Sequence, residues 1–199
     1  PVLFKCLVNK YPPMAASLTR LLDTYKPVPK HQIREHCQEA LWEIGDLIIY
    51  NKHPELYDQN PRIHWGLGEI ASMTSLEGKT VADVGAGSGR IAFLVAPVAQ
   101  TVFAVEPLGS FRSYMKEKAL KQGVKNLFVM DGTLDSIPLP GDSLDVLITS
   151  NAIGWNLDRE LFEIERVLKA GGSVMQLRHS EGGEGGGGGG GLTSAPWDY

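Results

Sequence analysis

The sequence is poor in cysteine, with only Cys6 and Cys37 among 199 residues. Two cysteines are too few for a disulfide framework or a cysteine-rich metal site, and the five histidines show no metal-ligand spacing. We therefore expect no metal and a reducing, cytoplasmic compartment. No apolar run approaches the roughly 20 residues that cross a bilayer, so we also expect no membrane span.

An excess of basic residues is also absent. The 19 Lys and Arg residues stand against 23 Asp and Glu residues, which gives a formal net charge of -4 and a pI near 5.7. Such a chain has no strong positive field to gather phosphate backbones, so we expect no nucleic-acid partner. Hydrophobic residues at 43% and charged residues at 21% are typical of a globular protein.

Glycine is unevenly spread along the chain. Of the 23 glycines, nine lie in the segment 181–191. A run of glycines loses much backbone entropy on folding and buries nothing, so this segment is predicted to be a linker or a disordered segment. A short apolar and aromatic C-terminal segment, 192–199, follows it.

The N-terminal part, residues 1–74, has the pattern of helices broken by prolines. Apolar residues three or four apart predict a helix over about 31–50 and another helical piece after Pro61. We expect this part to form a helical cap whose aromatic residues wall a ligand pocket: Tyr11, Tyr25, Trp42, Tyr50, Tyr57 and Trp65. The alternative is that these aromatics only attach the helices to the rest of the fold.

Residues 75–180 alternate between short apolar strands and helices. The predicted strands are 80–84, 101–105, 126–130, 144–149 and 173–177, and the predicted helices between them are 88–99, 110–122 and 158–169. This alternation predicts an α/β fold with a mostly parallel, twisted sheet and helices on both faces.

The strongest motif is the glycine turn over residues 83–89, Asp-Val-Gly-Ala-Gly-Ser-Gly, between a strand and a helix. Its glycines allow a tight turn and let the backbone approach a ligand. The spacing is Gly-x-Gly-x-Gly and not the Gly-x-Gly-x-x-Gly of dinucleotide enzymes. We interpret the turn as a site for a ligand without phosphates, with Asp83 meeting its amino group. The alternative is a structural turn that Asp83 caps.

Glu106 ends the second strand, about 20 residues after the glycine turn, at the same edge of the sheet. A carboxylate at this position accepts hydrogen bonds from two vicinal ribose hydroxyls. The alternative is that Glu106 is a solvated acid at a strand end, which is a common feature. The two features together are more specific than either alone, and they predict a nucleoside ligand.

Two further strands end in polar residues. Asp131 and Gly132 follow the third strand, where the carboxylate suits an exocyclic amine of a base, although Asp-Gly is also a common turn. Asn151 follows the fourth strand and lies beside the glycine turn if the first and fourth strands are neighbours. Its alternative role is that of a helix cap or loop residue.

Several of these motifs resemble those of one enzyme family. Residues 81–89 are similar to motif I of the class I S-adenosylmethionine-dependent methyltransferases, and Val105-Glu106-Pro107 resembles their motif II. Residues 130–147 and 163–172 resemble segments of the ubiquinone and menaquinone biosynthesis methyltransferases. The resemblance covers about residues 76–178, which is over half of the chain.

The resemblance implies a Rossmann-like class I methyltransferase fold and S-adenosyl-L-methionine as cofactor. It implies that the glycine turn and Asp83 lie near the methionine part, that Glu106 holds the ribose, and that Asp131 reads the adenine. The predicted cofactor-binding residues are Asp83, Gly85, Ala86, Gly87, Gly89, Glu106, Pro107, Asp131, Gly132 and Asn151.

We therefore expect a methyltransferase that moves a methyl group to a small-molecule acceptor by in-line displacement. One alternative is a regulatory or assembly protein that binds S-adenosylmethionine without transferring its methyl group. A second is a nicotinamide-dependent oxidoreductase, against which the glycine spacing argues. Residues 151–156 have no histidine where the subgroup often carries one. The sequence assigns no catalytic residue, acceptor or oligomeric state.

Overall fold

A computed structural model describes residues 29–34, 45, 48–59 and 65–177. The chain forms two compact units, Pro1–Gly45 and Asp46–Tyr199. In the first unit the described element is a 3-10 turn over Lys30–Gln32, closed by a hydrogen bond from the Gln32 N–H to the Pro29 carbonyl. The predicted segments 181–191 and 192–199 lie outside the described residues. The N-terminal cap over 1–74 stays a prediction.

The described part of the second unit alternates between helices and strands. A helical segment over 48–52 and two short helices come first, and five strands separated by three helices follow. In chain order the elements after that segment are α1 (Pro54–Asp58), α2 (Leu67–Met73), β1 (Thr80–Val84), α3 (Arg90–Val95), β2 (Thr101–Val105), α4 (Gly109–Gln122), β3 (Leu127–Met130), β4 (Leu144–Ser150), α5 (Leu157–Val167) and β5 (Leu168–Leu177).

The five strands form one parallel sheet in the order β3-β2-β1-β4-β5. Asp83 on β1 pairs with Ala104 on β2 and with Ile148 on β4. From β1 the chain moves outward to β2 and β3, and then returns to the other side of β1. Ligands bind at such a reversal in open α/β sheets, so the carboxyl ends of β1 and β4 frame the expected site.

Two apolar cores cover the two faces of the sheet, which confirms the predicted layered α/β fold. On one face α2, α3 and α4 pack on alternate strand residues, as Ile70, Ala92 and Met115 show. On the other face α5 packs through Ile164 and Val167, together with the loop between β3 and β4. Alternating strand residues point to opposite faces, so each short apolar strand contributes to both cores.

The start of β5 differs from the prediction. The sequence suggested a helix to Lys169 and a strand from Ser173, whereas β5 begins at Leu168. Leu168 pairs with Leu144, and a shift of register between Leu144 and Val146 takes up the extra residues. Gly171 has a φ of +75° within this irregular stretch. The glycines bend the strand there and do not mark its beginning.

Within the described ranges, none of the helices is long and apolar enough to cross a membrane. The same part of the chain contains no cluster of three or more His, Cys, Asp or Glu residues arranged to hold a metal ion.

Candidate functional site

A cavity of about 990 Å³ opens at the carboxyl ends of β1, β2 and β4. Of the predicted site residues, five line it: Gly85, Gly87, Glu106, Pro107 and Asn151. Asp83 and Ala86 line a smaller cavity of about 40 Å³, which shares Gly85 and Asn151 with the larger one. The sequence pattern therefore brings residues from three separate loops to one edge of the sheet.

The glycine turn adopts backbone conformations that suit glycine. Gly85, Gly87 and Gly89 have φ values of +78°, +56° and +82°. A Cβ added at Gly85 would lie 2.5 Å from the Cβ of Ala152, which is too close for two carbon atoms. At Gly89 it would lie 2.8 Å from the Sδ of Met115. Gly85 therefore allows the post-β4 loop to approach, while Gly89 allows α4 to pack.

Asp83 lies beneath this turn and is only 1% exposed. Its Oδ2 accepts a hydrogen bond of 3.0 Å from the Ala92 N–H in α3. Burial raises the pKa of Asp83 to about 7; the Ala92 N–H opposes this rise and the charge of Glu106 adds to it. Asp83 thus fastens α3 to β1, and it also faces the small cavity at the turn.

Replacing Asp83 with asparagine should change how stability depends on pH. The folded chain keeps the Asp83 proton up to about pH 7, whereas the unfolded chain loses it near pH 4. Stability therefore falls as the pH rises between these values, on the order of 2–4 kcal/mol in total. The amide in the Asp83→Asn variant does not titrate, so its free energy of unfolding should decrease less between pH 4 and 7, by the same ~2–4 kcal/mol. Urea unfolding between pH 4 and 8 measures it, and parallel curves for the two proteins would refute the assignment.

Glu106 follows β2 and is 5% exposed. Its Oε2 accepts the Gly87 N–H and its Oε1 accepts the Leu108 N–H, each at 2.8 Å. Burial raises the pKa of Glu106, and these two N–H groups oppose the rise. Each carboxylate oxygen has a second lone pair. The side chain is thus held rigidly at the cavity wall and can still accept two hydroxyl groups.

Asp131 and Gly132 do not line either cavity. The Asp131 side chain is 71% exposed, and its Oδ1 forms an ion pair of 3.0 Å with the Nη1 of Arg112. Gly132 is packed tightly, since a Cβ there would lie 2.6 Å from the Cδ of Pro138. The reading of adenine by Asp131 stays a prediction.

Asn151 has a φ of +53° and begins a loop, residues 151–156, that joins β4 to α5. Sequence reasoning missed the residue that holds this loop. Glu160 accepts N–H groups from Gly154, Trp155 and Asn156 at 2.7, 3.0 and 3.0 Å. A capping box places its acid three residues after the cap, and Glu160 is four after Asn156, so the usual sequence signal is missing.

The helix α1 also contributes to the site and was not predicted. Tyr57 lies over the glycine turn, with its Cε1 3.1 Å from the position of a Cβ on Gly87. Its ring packs against Tyr50 and Phe111, with centroids 5.4 and 5.2 Å apart. Pro54 at the start of α1 is a common helix signal that the sequence does contain.

Of the aromatic residues expected to wall a ligand pocket, Tyr50 and Tyr57 line the large cavity. Tyr11, Tyr25 and Trp42 lie outside the described residues. Trp65 packs on the core beside α2 and does not line the cavity.

Asp58 anchors α1 to the rest of the unit. It accepts hydrogen bonds from the hydroxyls of Ser88 and Tyr114 at 3.0 and 2.9 Å, and from Lys118 Nζ at 2.8 Å. Burial alone would raise the pKa of Asp58, but the bonds from Lys118 and Tyr114 hold it below its usual value. Ser88 belongs to the glycine turn, so Asp58 ties α1 to that turn directly.

Replacing Asp58 with alanine should lower the free energy of unfolding by about 2–3 kcal/mol, because a charged acceptor with three donors is removed. The loss of stability should be complete above pH 4 and should become smaller as the pH falls. The pKa of Asp58 is lower in the folded chain than in the unfolded chain, so protonation of Asp58 at low pH favours the unfolded chain and removes its stabilising contribution. Urea unfolding at pH 7 and pH 3 measures it. Glu117→Ala, on the exposed side of α4, is the control. Equal small losses in both variants would show that Asp58 anchors nothing.

Comparison with known proteins agrees with this geometry. Residues 82–175 match the family model described as a methyltransferase domain. The chain is 31% identical over 101 residues to the uncharacterized methyltransferase YcgJ of Bacillus subtilis. The aligned region covers 50% of this chain and 40% of YcgJ. It is 33% identical over 110 residues to the ubiquinone/menaquinone biosynthesis C-methyltransferase UbiE of Brucella canis. That aligned region covers 52% of this chain and 41% of UbiE.

A solved structure supports the same fold. The crystal structure of the Bacillus subtilis YcgJ protein superposes with a TM-score of 0.54 at 27% sequence identity, over 56% of this chain and 49% of that one. Among the curated relatives, the aligned regions cover 40% of YcgJ and 41% of UbiE, so the chain spans about two fifths of their length. The family match over 82–175 begins within β1, ends within β5 and contains the three loops that meet at the cavity.

Proposed function

We propose that this chain, which carries a class I S-adenosylmethionine-dependent methyltransferase domain over residues 82–175, transfers a methyl group from its cofactor to a small-molecule acceptor. The observation that supports the proposal most is the joint position of the glycine turn and Glu106 at one cavity. S-Adenosyl-L-methionine is the cofactor of this family.

The residues present fit this cofactor. Gly85 and Gly87 line the cavity, where their backbone can approach a ligand with no Cβ between them. Glu106 offers a buried, rigid carboxylate to a pair of ribose hydroxyls. The buried carboxyl groups of Asp83 and Glu106 lie beside the turn, where they suit amino and hydroxyl groups better than a pyrophosphate.

The chemistry asks little of the protein's side chains. When held beside the glycine turn and Glu106, the cofactor would supply an electrophilic methyl group on a positively charged sulfur, which would depart as a neutral thioether. The chain's own task is to hold the acceptor in line and to keep water away. Tyr57 and the loop 151–156, fixed by Glu160, form walls suited to that task.

Transfer is tested with methyl-labelled cofactor and a metabolite extract. We expect label in at least one small molecule, and no label with a Gly85→Ala variant that circular dichroism shows to be folded. Tight binding of S-adenosylhomocysteine without transfer to any extract component would favour the alternative of a binding protein without transferase activity.

A further inference from the structure

The large cavity has room for more than the cofactor. Its volume of about 990 Å³ lies at the upper end of the ~300–1,000 Å³ range in which pockets enclose a whole drug-sized ligand. The glycine turn, Glu106 and Asn151 account for one side of it. The remaining walls come from residues 49–59, the start of α4, the loop after β3 and the loop before α5.

These remaining walls are rich in aromatic and aliphatic side chains. Tyr50, Tyr57 and Phe111 form a connected group, with ring centroids between 5.2 and 5.5 Å apart. Leu56 and Trp155 also line the cavity, and both are at least half exposed to solvent. A molecule with an apolar or aromatic body would cover them.

The charged side chains that line the cavity are all acidic in the described ranges: Glu106, Asp135 and Glu160. Backbone N–H groups hold two of them, since Glu106 accepts two and Glu160 accepts three. Asp135 differs, because its carboxylate accepts a hydrogen bond from the neutral hydroxyl of Thr133.

Two arginines near these walls are directed elsewhere. Arg159 Nε donates to the main-chain oxygen of Asp135 at 3.2 Å, and its own side chain is exposed. Arg112 donates to the main-chain oxygens of Glu106 and Pro107 and pairs with Asp131. Neither arginine lines the cavity, so neither offers its guanidinium to a bound molecule there.

From these walls and charges we infer that the methyl acceptor is an amine on an apolar or aromatic body, with Asp135 facing its nitrogen. The inference rests on the proposed function. A carboxylate or phosphate entering this cavity would lose its hydration and meet further negative charge. An ammonium group meets a carboxylate and the faces of aromatic rings, both of which attract it.

The transfer to such an acceptor is balanced. The ammonium first loses a proton to solvent, and the nitrogen lone pair then forms the new bond to the methyl carbon as the bond to sulfur breaks. The product is a methylated ammonium together with the neutral thioether. The acceptor binds as the cation and reacts as the free amine. The rate should therefore rise with pH until the bound amine is deprotonated.

The test separates a metabolite extract by charge before the reaction. Cation-retained, unretained and anion-retained fractions are each incubated with the protein and methyl-labelled cofactor. We expect at least ten times more label from the cation-retained fraction than from the others. Label chiefly from the unretained or the anion-retained fraction would overturn the inference and leave the proposed function standing. No label from any fraction, with S-adenosylhomocysteine still bound tightly, would instead count against the proposed function.

A pair of matched variants tests the part played by Asp135. Asp135→Asn should raise the KM for the labelled amine at least five-fold and change kcat less, because it removes attraction in the bound state. Asp142→Asn removes an exposed acid that does not line the cavity, at a φ of +53° that asparagine tolerates, and should change neither constant. Equal KM values in the two variants would show that Asp135 does not bind the amine.

Discussion

A Gly85→Ala variant is expected to lose at least 100-fold in affinity for S-adenosylhomocysteine. The added Cβ would lie 2.5 Å from the Cβ of Ala152, so either the turn or the loop 151–156 must move. Gly85 lines both cavities, so such a movement changes the surface that the cofactor meets. Its φ of +78° adds strain for any residue with a Cβ. Calorimetric titration measures the affinity.

Gly78→Ala is the matched control for this substitution. Gly78 has a φ of +67°, close to that of Gly85, and a Cβ there would meet nothing within 4 Å. It should lower stability by about 1 kcal/mol and leave the affinity unchanged. Unchanged affinity in a folded Gly85→Ala variant would show that the turn does not shape the cofactor site.

A Glu106→Ala variant should weaken S-adenosylhomocysteine binding by about 1–3 kcal/mol, or roughly 5- to 150-fold, because the ribose hydroxyls lose their acceptor. Glu106→Gln should weaken S-adenosylhomocysteine binding by nearly as much. Both oxygens of Glu106 accept backbone N–H groups, so an amide NH₂ would face a donor at Gly87 or Leu108. Glu77→Ala, an exposed acid before β1, controls for the loss of one charge.

A deoxy ligand separates this contact from general destabilisation. The unchanged protein should bind the 2′-deoxy form of S-adenosylhomocysteine more weakly than the parent compound. In Glu106→Ala the two ligands should bind almost equally, since the partner of the hydroxyl is gone. A preference for the parent compound that persists in the variant would place the ribose elsewhere.

The sheet and its functional edge were predictable because their signals are local. The strands 80–84 and 101–105 are short apolar runs bounded by glycine or polar residues, and the structure has β1 and β2 with these bounds. The strand-to-helix glycine turn and the acid after the next strand lie within one βαβ unit. Parallel strands then bring both to the same edge of the sheet.

Contacts between distant parts of the chain were not predictable. Asp58 meets Lys118 across 60 residues, and Tyr57 covers a glycine 30 positions later. No period or motif encodes such a pairing, because it depends on where α1 docks. The start of β5 was missed for a related reason: Gly171 resembles a helix stop, while the strand pairing of Leu168 is decided by its partner Leu144.

Calorimetric titration with S-adenosylhomocysteine and NAD⁺ on the same protein tests the central claim most directly. The glycine spacing, the rigid Glu106 and the buried Asp83 beneath the turn suit a nucleoside without phosphates. We therefore predict that S-adenosylhomocysteine binds with a stoichiometry of about one and that NAD⁺ gives no measurable heat of binding. Tighter binding of NAD⁺ than of S-adenosylhomocysteine would contradict the account.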